Sequence, residues 1–292
     1  METHIDGCRP RPSLTPPLAD ALPLKKGSPL SHPRATVHWI YAHPQESSFN
    51  ARLFRDGVEA LSRDYDVETT DLYRQRFDPV LAAPDLGDPQ GRDGNVVELM
   101  GEVYAGGQVP PDVVEEQRKL HAADLVVIQF PLWWYGPPAI LKGWFDRVLT
   151  NGFAYGPVDP NTGLPLRYGD GPLAGRRALV IVTAGEDERS IGRRGVSGDL
   201  DSLLFPLTHG TLWYTGIEPL DLHVVHDADS LGRTEIDHES ARLRERLSEI
   251  ADESPSSPYR RLRDGDYHGI RALRTDLLPG RTDLGIHRVR SD

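Results

Sequence analysis

The run LVVIQF at residues 125–130 is apolar at nearly every position, and it constrains the chain more than any other feature. A strand with one wet face alternates polar and apolar residues, so a strand without alternation must be covered on both faces. VHWIY at 37–41 and RALVIVT at 177–183 share this character. Between them lie helical patterns. Phe49, Leu53, Phe54, Val58 and Leu61 recur at spacings of three to five and mark one helix face, with Ser47 or Ser48 as its cap. Ile140, Leu141, Trp144, Phe145 and Val148 make another, and Pro110, Pro111 and Asp112 start a third that runs to Ala123.

The remaining elements complete the alternation. VETTDLY at 67–73 predicts a partly polar second strand, and residues 220–225 a fifth. Residues 203–212 and 238–250 predict helices, while 77–111, rich in Gly, Pro and Asp, reads mostly as loop around a short helix at 96–100. Strands separated by helices imply right-handed crossovers and one open parallel sheet. The expected fold is α/β, a three-layer sandwich with a central five-stranded parallel sheet.

Composition divides the chain further. Residues 1–34 hold seven prolines and the lone cysteine, Cys8, and read as a flexible leader; 35–254 form the folded domain. Residues 255–292 are an extension with eight arginines, five aspartates and no Lys or Glu, a local charge of +3 within a total of -11. The acidity belongs to the body, and it disfavours nucleic acid and anionic membranes as partners. One cysteine leaves no intrachain disulfide, and the scattered histidines match no metal-binding spacing, so no metal is expected. With no membrane-length apolar run and no apolar signal segment, the expected location is the cytoplasm.

In a sheet of this kind the ligand lies beyond the carboxyl ends of the strands. Neither GxGxxG nor GxxxxGK[ST] is present. Three loops are candidates instead. His43 to Asn50 places an imidazole, hydroxyls and an amide at a helix N-terminus, which suits phosphate. PLWWYGPPA at 131–139 offers either a flat aromatic wall for a planar ring or three aromatics, Trp133, Trp134 and Tyr135, that seal the core edge. TAGEDERSIGRRG at 183–195 either passes the same ring or is an ordinary charged surface loop.

The run QFPLWWYGPPAILKGWFDRVLTNGFAYG at 129–156, with HPQESSFNARL, ETTDLY and PDVVEEQRKLHAADLVV in the same order, resembles the flavodoxin-like NAD(P)H:quinone oxidoreductases, the DT-diaphorase family. The resemblance covers residues 36–250. It implies FAD, a homodimer with sites at the interface, and ping-pong hydride transfer from NADH or NADPH through the flavin to a quinone. By that resemblance His43, Ser47, Ser48, Phe49 and Asn50 hold the pyrophosphate side of FAD. Pro131, Leu132, Trp133, Trp134 and Tyr135 flank the isoalloxazine, with Thr183, Ala184 and Gly185 beside it. Asp146 reaches the neighbouring subunit's cofactor region, and Tyr155 lines the substrate pocket; Tyr155, Trp134, Gly185 and Ser197 are the expected residues at the reacting centre.

The pattern breaks in one loop. Mammalian-type members read TTGG, then a Tyr and a His that steady charge; here Glu186 replaces the second Gly, Ile191 the Tyr and Ser197 the His. In place of that pair, Ser197 is expected to offer one hydrogen bond and Arg189, Arg193 or Arg194 a blunter offset of negative charge on the reduced flavin or quinone, while Glu186 is expected to point to solvent. GPVDPNTGLPLRYGDGP after Tyr155 is longer than its counterpart and is expected to reshape one pocket wall. The alternatives are a related reductase of azo, nitroaromatic or quinone-like biosynthetic substrates, and a flavin-containing binding subunit.

Overall fold

The computed structural model describes residues 34–289 apart from 89, 91 and 92; the proline-rich leader and Cys8 lie outside the described residues. The strands β1 (Thr36–Tyr41), β2 (Asp66–Asp71), β3 (Leu125–Pro131) and β4 (Arg177–Thr183) form a parallel sheet in the order β2-β1-β3-β4. Its fifth position is split between β5 (Glu218–Pro219) and β6 (His223–Val225), both parallel to β4. The strand expected at 220–225 is shortened to β6, and β5 precedes it, because the chain leaves the sheet between Pro219 and His223. The helices are α1 (Phe49–Leu61), α2 (Val96–Ala105), α3 (Pro111–Ala122), α4 (Ala139–Val148), the short turns α5 (Leu200–Leu203) and α6 (Phe205–Leu207), and α7 (Arg233–Ser248).

β3 is buried at every residue and sits between β1 and β4, as its unbroken apolar run requires. Successive side chains feed opposite layers. Trp39, Val127 and Leu179 pack with Leu53 and Leu61 of α1 and Leu243 and Leu247 of α7. Ile40, Val126, Ile128 and Val180 pack with Val113 and Leu120 of α3 and Leu141 and Trp144 of α4. Gly57 is what lets α1 close on the sheet, since a Cβ there would fall 2.3 Å from the Trp39 ring.

Several boundaries depart from the periodicity. β2 ends at Asp71 because the chain turns back at Leu72, so that the Phe77 amide bonds the Leu72 carbonyl. The predicted helix at 203–212 is broken: Leu204 separates α5 from α6, whose first turn carries Pro206, and a π-helical stretch, Thr208–Trp213, follows. α2 extends to Ala105, with Asn95 and Glu98 forming a reciprocal cap, and α7 begins at Arg233.

Residues 255–289 pack against the body around Tyr259 and Leu262, both buried. The Tyr259 and Thr208 hydroxyls are 2.7 Å apart, and the Trp213 indole donates to the Arg260 carbonyl at 3.0 Å. Arg261 pairs with Asp170 and Arg263 with Asp159, so the extension also grips the loop that follows Tyr155. The His209 ring is stacked between Phe205 (4.5 Å) and Tyr168 (4.8 Å), with Tyr259 and His287 at its edges.

That setting gives a pH dependence. Burial, reinforced by His287 and Arg288, lowers the His209 imidazole from 6.5 to about 4. The unfolded chain therefore takes up this proton first as pH falls, so stability is complete above about pH 6.5 and declines toward pH 4. Buried His38 and His223, each lowered to about 3, act in the same direction. Urea unfolding between pH 7 and pH 4 should show a shallower loss in His209→Phe than in the parent protein.

Candidate active site

Four strand ends converge at the carboxyl end of the sheet. The Leu132 amide bonds the Thr183 carbonyl at 2.8 Å, the Ala42 amide bonds the Gln129 carbonyl at 3.0 Å, and the Ala184 amide bonds the Val225 carbonyl at 2.8 Å. These bonds hold the loops after β1, β3, β4 and β6 side by side. A cavity of about 230 Å³ opens there, lined by Leu132, Trp134, Tyr135, Ala184, Gly185, Glu186 and Ile191.

The loop after β3 is a tight hairpin. Trp133 and Gly136 exchange both backbone hydrogen bonds at 3.1 Å, and the two residues between them, Trp134 and Tyr135, have φ of 52° and 59°. This is the pattern of a type I′ turn, which favours Asn and Gly. Each L-residue in the left-handed region costs about 1–2 kcal/mol. The strain is not relieved by burial of the rings, since Trp134 is 98% exposed and Trp133 and Tyr135 are 44% and 42% exposed. The alternative that these aromatics seal the core edge therefore does not hold. They form an open wall at the cavity.

The loop after β4 is fixed from the opposite side. The Tyr135 hydroxyl donates to Glu186 Oε1 at 2.9 Å, the Ser197 hydroxyl donates to Glu186 Oε2 at 2.7 Å, and the two hydroxyl oxygens are 3.1 Å apart. The expectation that Glu186 points to solvent is corrected: each carboxylate oxygen accepts from one hydroxyl, those of Tyr135 and Ser197. Arg189 is exposed and paired with Asp187 at 2.6 Å. Ile191, in the position of the family tyrosine, is buried and supplies an apolar floor. The 183–195 segment is part of the site and not a detached surface loop.

The loop after β1 divides its residues between two tasks. Ser48 caps α1, its hydroxyl accepting from the Ala51 amide at 3.1 Å, and Ser47 accepts from the Gln45 side chain. The Gln45 amide donates to His43 Nδ1 at 3.1 Å, and partial burial holds that imidazole below its ordinary range, so it is neutral at pH 7. Its ring faces Trp133 at 6.1 Å. Phe49 packs on the core, and Asn50 is buried; the Asn50 amide donates to the Thr183 hydroxyl and accepts from Gln129, which also receives the Trp39 indole. The side chains of Asn50 and Thr183 thus join α1 to β3 and β4.

Asp146 and Tyr155, two of the expected site residues, do not line the cavity. Asp146 sits on an exposed part of α4, paired with Lys142 at 2.6 Å. Tyr155 packs beside Tyr214 at 6.3 Å, its phenol raised by burial and so protonated at neutral pH. One contributor escaped the sequence reading: the loop after β6, whose Ala228 amide bonds the Ala184 carbonyl and whose Asp229 would meet a Cβ at Gly185 at 2.7 Å. No motif marked it, because only the pairing of β6 with β4 brings it there.

Among the described residues, the backbone amides of Trp134, Tyr135, Gly185 and Glu186 donate to no acceptor. Two free amides on each side of a flat, aromatic-walled cavity suit a planar heterocycle with acceptor atoms along its edge. Replacing Trp134 by Gly tests the strain, since the exposed side chain takes almost no packing with it: unfolding free energy should rise by about 1 kcal/mol in a denaturant titration.

Comparison with known proteins agrees with this architecture. The family model described as flavodoxin-like fold matches residues 35–250. The ribosyldihydronicotinamide dehydrogenase-like protein traD of Penicillium crustosum is 40% identical over 233 residues, 78% of this chain and 85% of that protein. The ribosyldihydronicotinamide dehydrogenase (quinone) of Mus musculus is 38% identical, over 74% of this chain and 92% of its own. The NAD(P)H dehydrogenase (quinone) 1 of Cavia porcellus is 36% identical, over 74% and 77%. A crystal structure from Klebsiella pneumoniae, of a protein assigned as a quinone reductase, superposes with a TM-score of 0.83 at 38% identity, over 87% of this chain and all of that one.

Proposed function

From its place in the flavodoxin-like family of NAD(P)H:quinone oxidoreductases, to which the chain belongs, we propose that it reduces a quinone with NADH or NADPH through bound FAD. The observation that carries this reading is the strained, exposed Trp134–Tyr135 turn facing the loop after β4 across a cavity with free amides on both sides. Strain of this kind is retained where the surrounding fold uses it. FAD fits the residues present. Its ring system would take the amides of the two loops, while the first-turn amides of α1, with Ser47 and Ser48, would receive phosphate.

When bound, the flavin supplies two-electron chemistry between nicotinamide and quinone. The chain's own residues orient and enclose. Trp133 and Trp134 present flat faces against which a donor and then an acceptor ring can lie, which suits a ping-pong cycle in one pocket. Leu132, Ala184 and Ile191 keep the adjoining wall apolar and exclude water. Asp146 and Tyr155, outside the cavity of one protomer, support a homodimer in which they face the partner's site. The single cysteine supports a cytoplasmic location.

The test is an anaerobic half-reaction. Purified protein should carry flavin absorbance that bleaches on addition of NADH or NADPH and returns with a quinone, and the nucleotide released on denaturation should chromatograph as FAD. No bleaching with either nicotinamide would refute the assignment. Menadione reduction should also change when residues 157–167 are shortened in protein that keeps its flavin; an unchanged rate would remove that loop from the pocket wall.

A further inference from the structure

Among the described residues Glu186 is the one charged side chain lining the cavity, and its geometry goes beyond reduction of quinones in general. An ionised carboxylate has about four acceptor positions on its two oxygens. Here Tyr135 takes one on Oε1 and Ser197 one on Oε2, so each oxygen keeps a free position while the group is held in one orientation. The rest of the wall is hydrocarbon or aromatic, with no Lys or Arg in it. Arg193 and Arg194 are exposed, and Asp229 adds a second negative group beside Gly185.

We propose that Glu186 selects the electron acceptor: the site takes an uncharged quinone that carries a ring hydroxyl, whose O–H donates to the carboxylate, and discriminates against quinones bearing an anionic group. This rests on the quinone-reductase reading above. A ring with carbonyl oxygens alone brings no donor to Glu186 and makes no hydrogen bond with its carboxylate. A ring hydroxyl supplies the missing donor, and a hydrogen bond to a charged group is stronger than one between neutral groups. A sulfonate or carboxylate on the ring meets like charge in a cavity without a cation. Tyr135 and Ser197 act as positioning residues, since their hydroxyls aim the carboxylate.

The experiment uses the flavin-loaded protein and three naphthoquinones: one with a ring hydroxyl remote from the carbonyls, its methyl ether, and the matching sulfonate. kcat/KM and, without nicotinamide, dissociation constants by equilibrium dialysis are measured in the parent protein and in Glu186→Gln. Comparing ratios between the two proteins cancels the intrinsic reactivity of each quinone. The parent should prefer the hydroxyl compound to its ether roughly tenfold more than Glu186→Gln does, the scale of one hydrogen bond to a charged group. Discrimination against the sulfonate should relax by a similar factor in that variant. Ser197→Ala, which keeps the charge but loosens its aim, should give an intermediate hydroxyl preference and unrelaxed sulfonate discrimination. Glu188→Gln, the same charge change on an exposed neighbour outside the cavity wall, should leave both ratios within about twofold, as expected for a screened surface group. Identical ratios in the parent and Glu186→Gln overturn the proposal with the quinone-reductase reading intact. Loss of all quinone reduction in the parent overturns that reading, while the dialysis ratios still decide the role of Glu186.

Discussion

The site depends on the buried hydrogen bonds of Gln129. From the middle of the sheet this side chain accepts from the Trp39 indole and donates to the Asn50 carbonyl and side-chain oxygen, and Asn50 in turn reaches Thr183. Four elements, β1, α1, β3 and β4, are thereby fixed relative to each other at the level where their loops begin. A polar group at zero exposure is costly unless every partner is present. The network therefore permits one arrangement of the strand ends, and the cavity inherits its width from it.

How far this was legible depends on the kind of signal. β3 and β4 were readable because a fully covered strand has to be apolar throughout, and α1 because its apolar face and serine cap are local features. The split of the fifth strand and the helix break at Leu204 were not, because short strands and a π-helical stretch are held by tertiary pairing. In the site, the aromatic loop announced itself by composition, whereas its left-handed backbone did not. Glu186 shows the limit most clearly. Its neighbours in sequence suggested a charged loop facing water, and its true partners, Tyr135 and Ser197, are 51 and 11 residues away.

The arginine-rich extension changes meaning in the same way. Read as composition it was a basic segment beside an acidic body. In the structure, Arg261 and Arg263 meet Asp170 and Asp159, while Tyr259 and Leu262 do the burying. Exposed ion pairs contribute little, so the apolar anchors hold the segment and the arginines set its register along the loop after Tyr155.

That loop, His209 and the Phe205 and Tyr168 rings stacked on it belong to the body, and the extension adds Tyr259 and His287 to them from later in the chain. Synthesis runs from the N-terminus, and domains generally fold as units in that order. The extension is thus synthesised after the body and has nothing to dock on until the sheet, the π-helical stretch and the loop are in place. Its docking is a closing step that records that the body has folded, and an early stall in synthesis would leave the Phe205 and His209 rings uncovered on an otherwise assembled sheet.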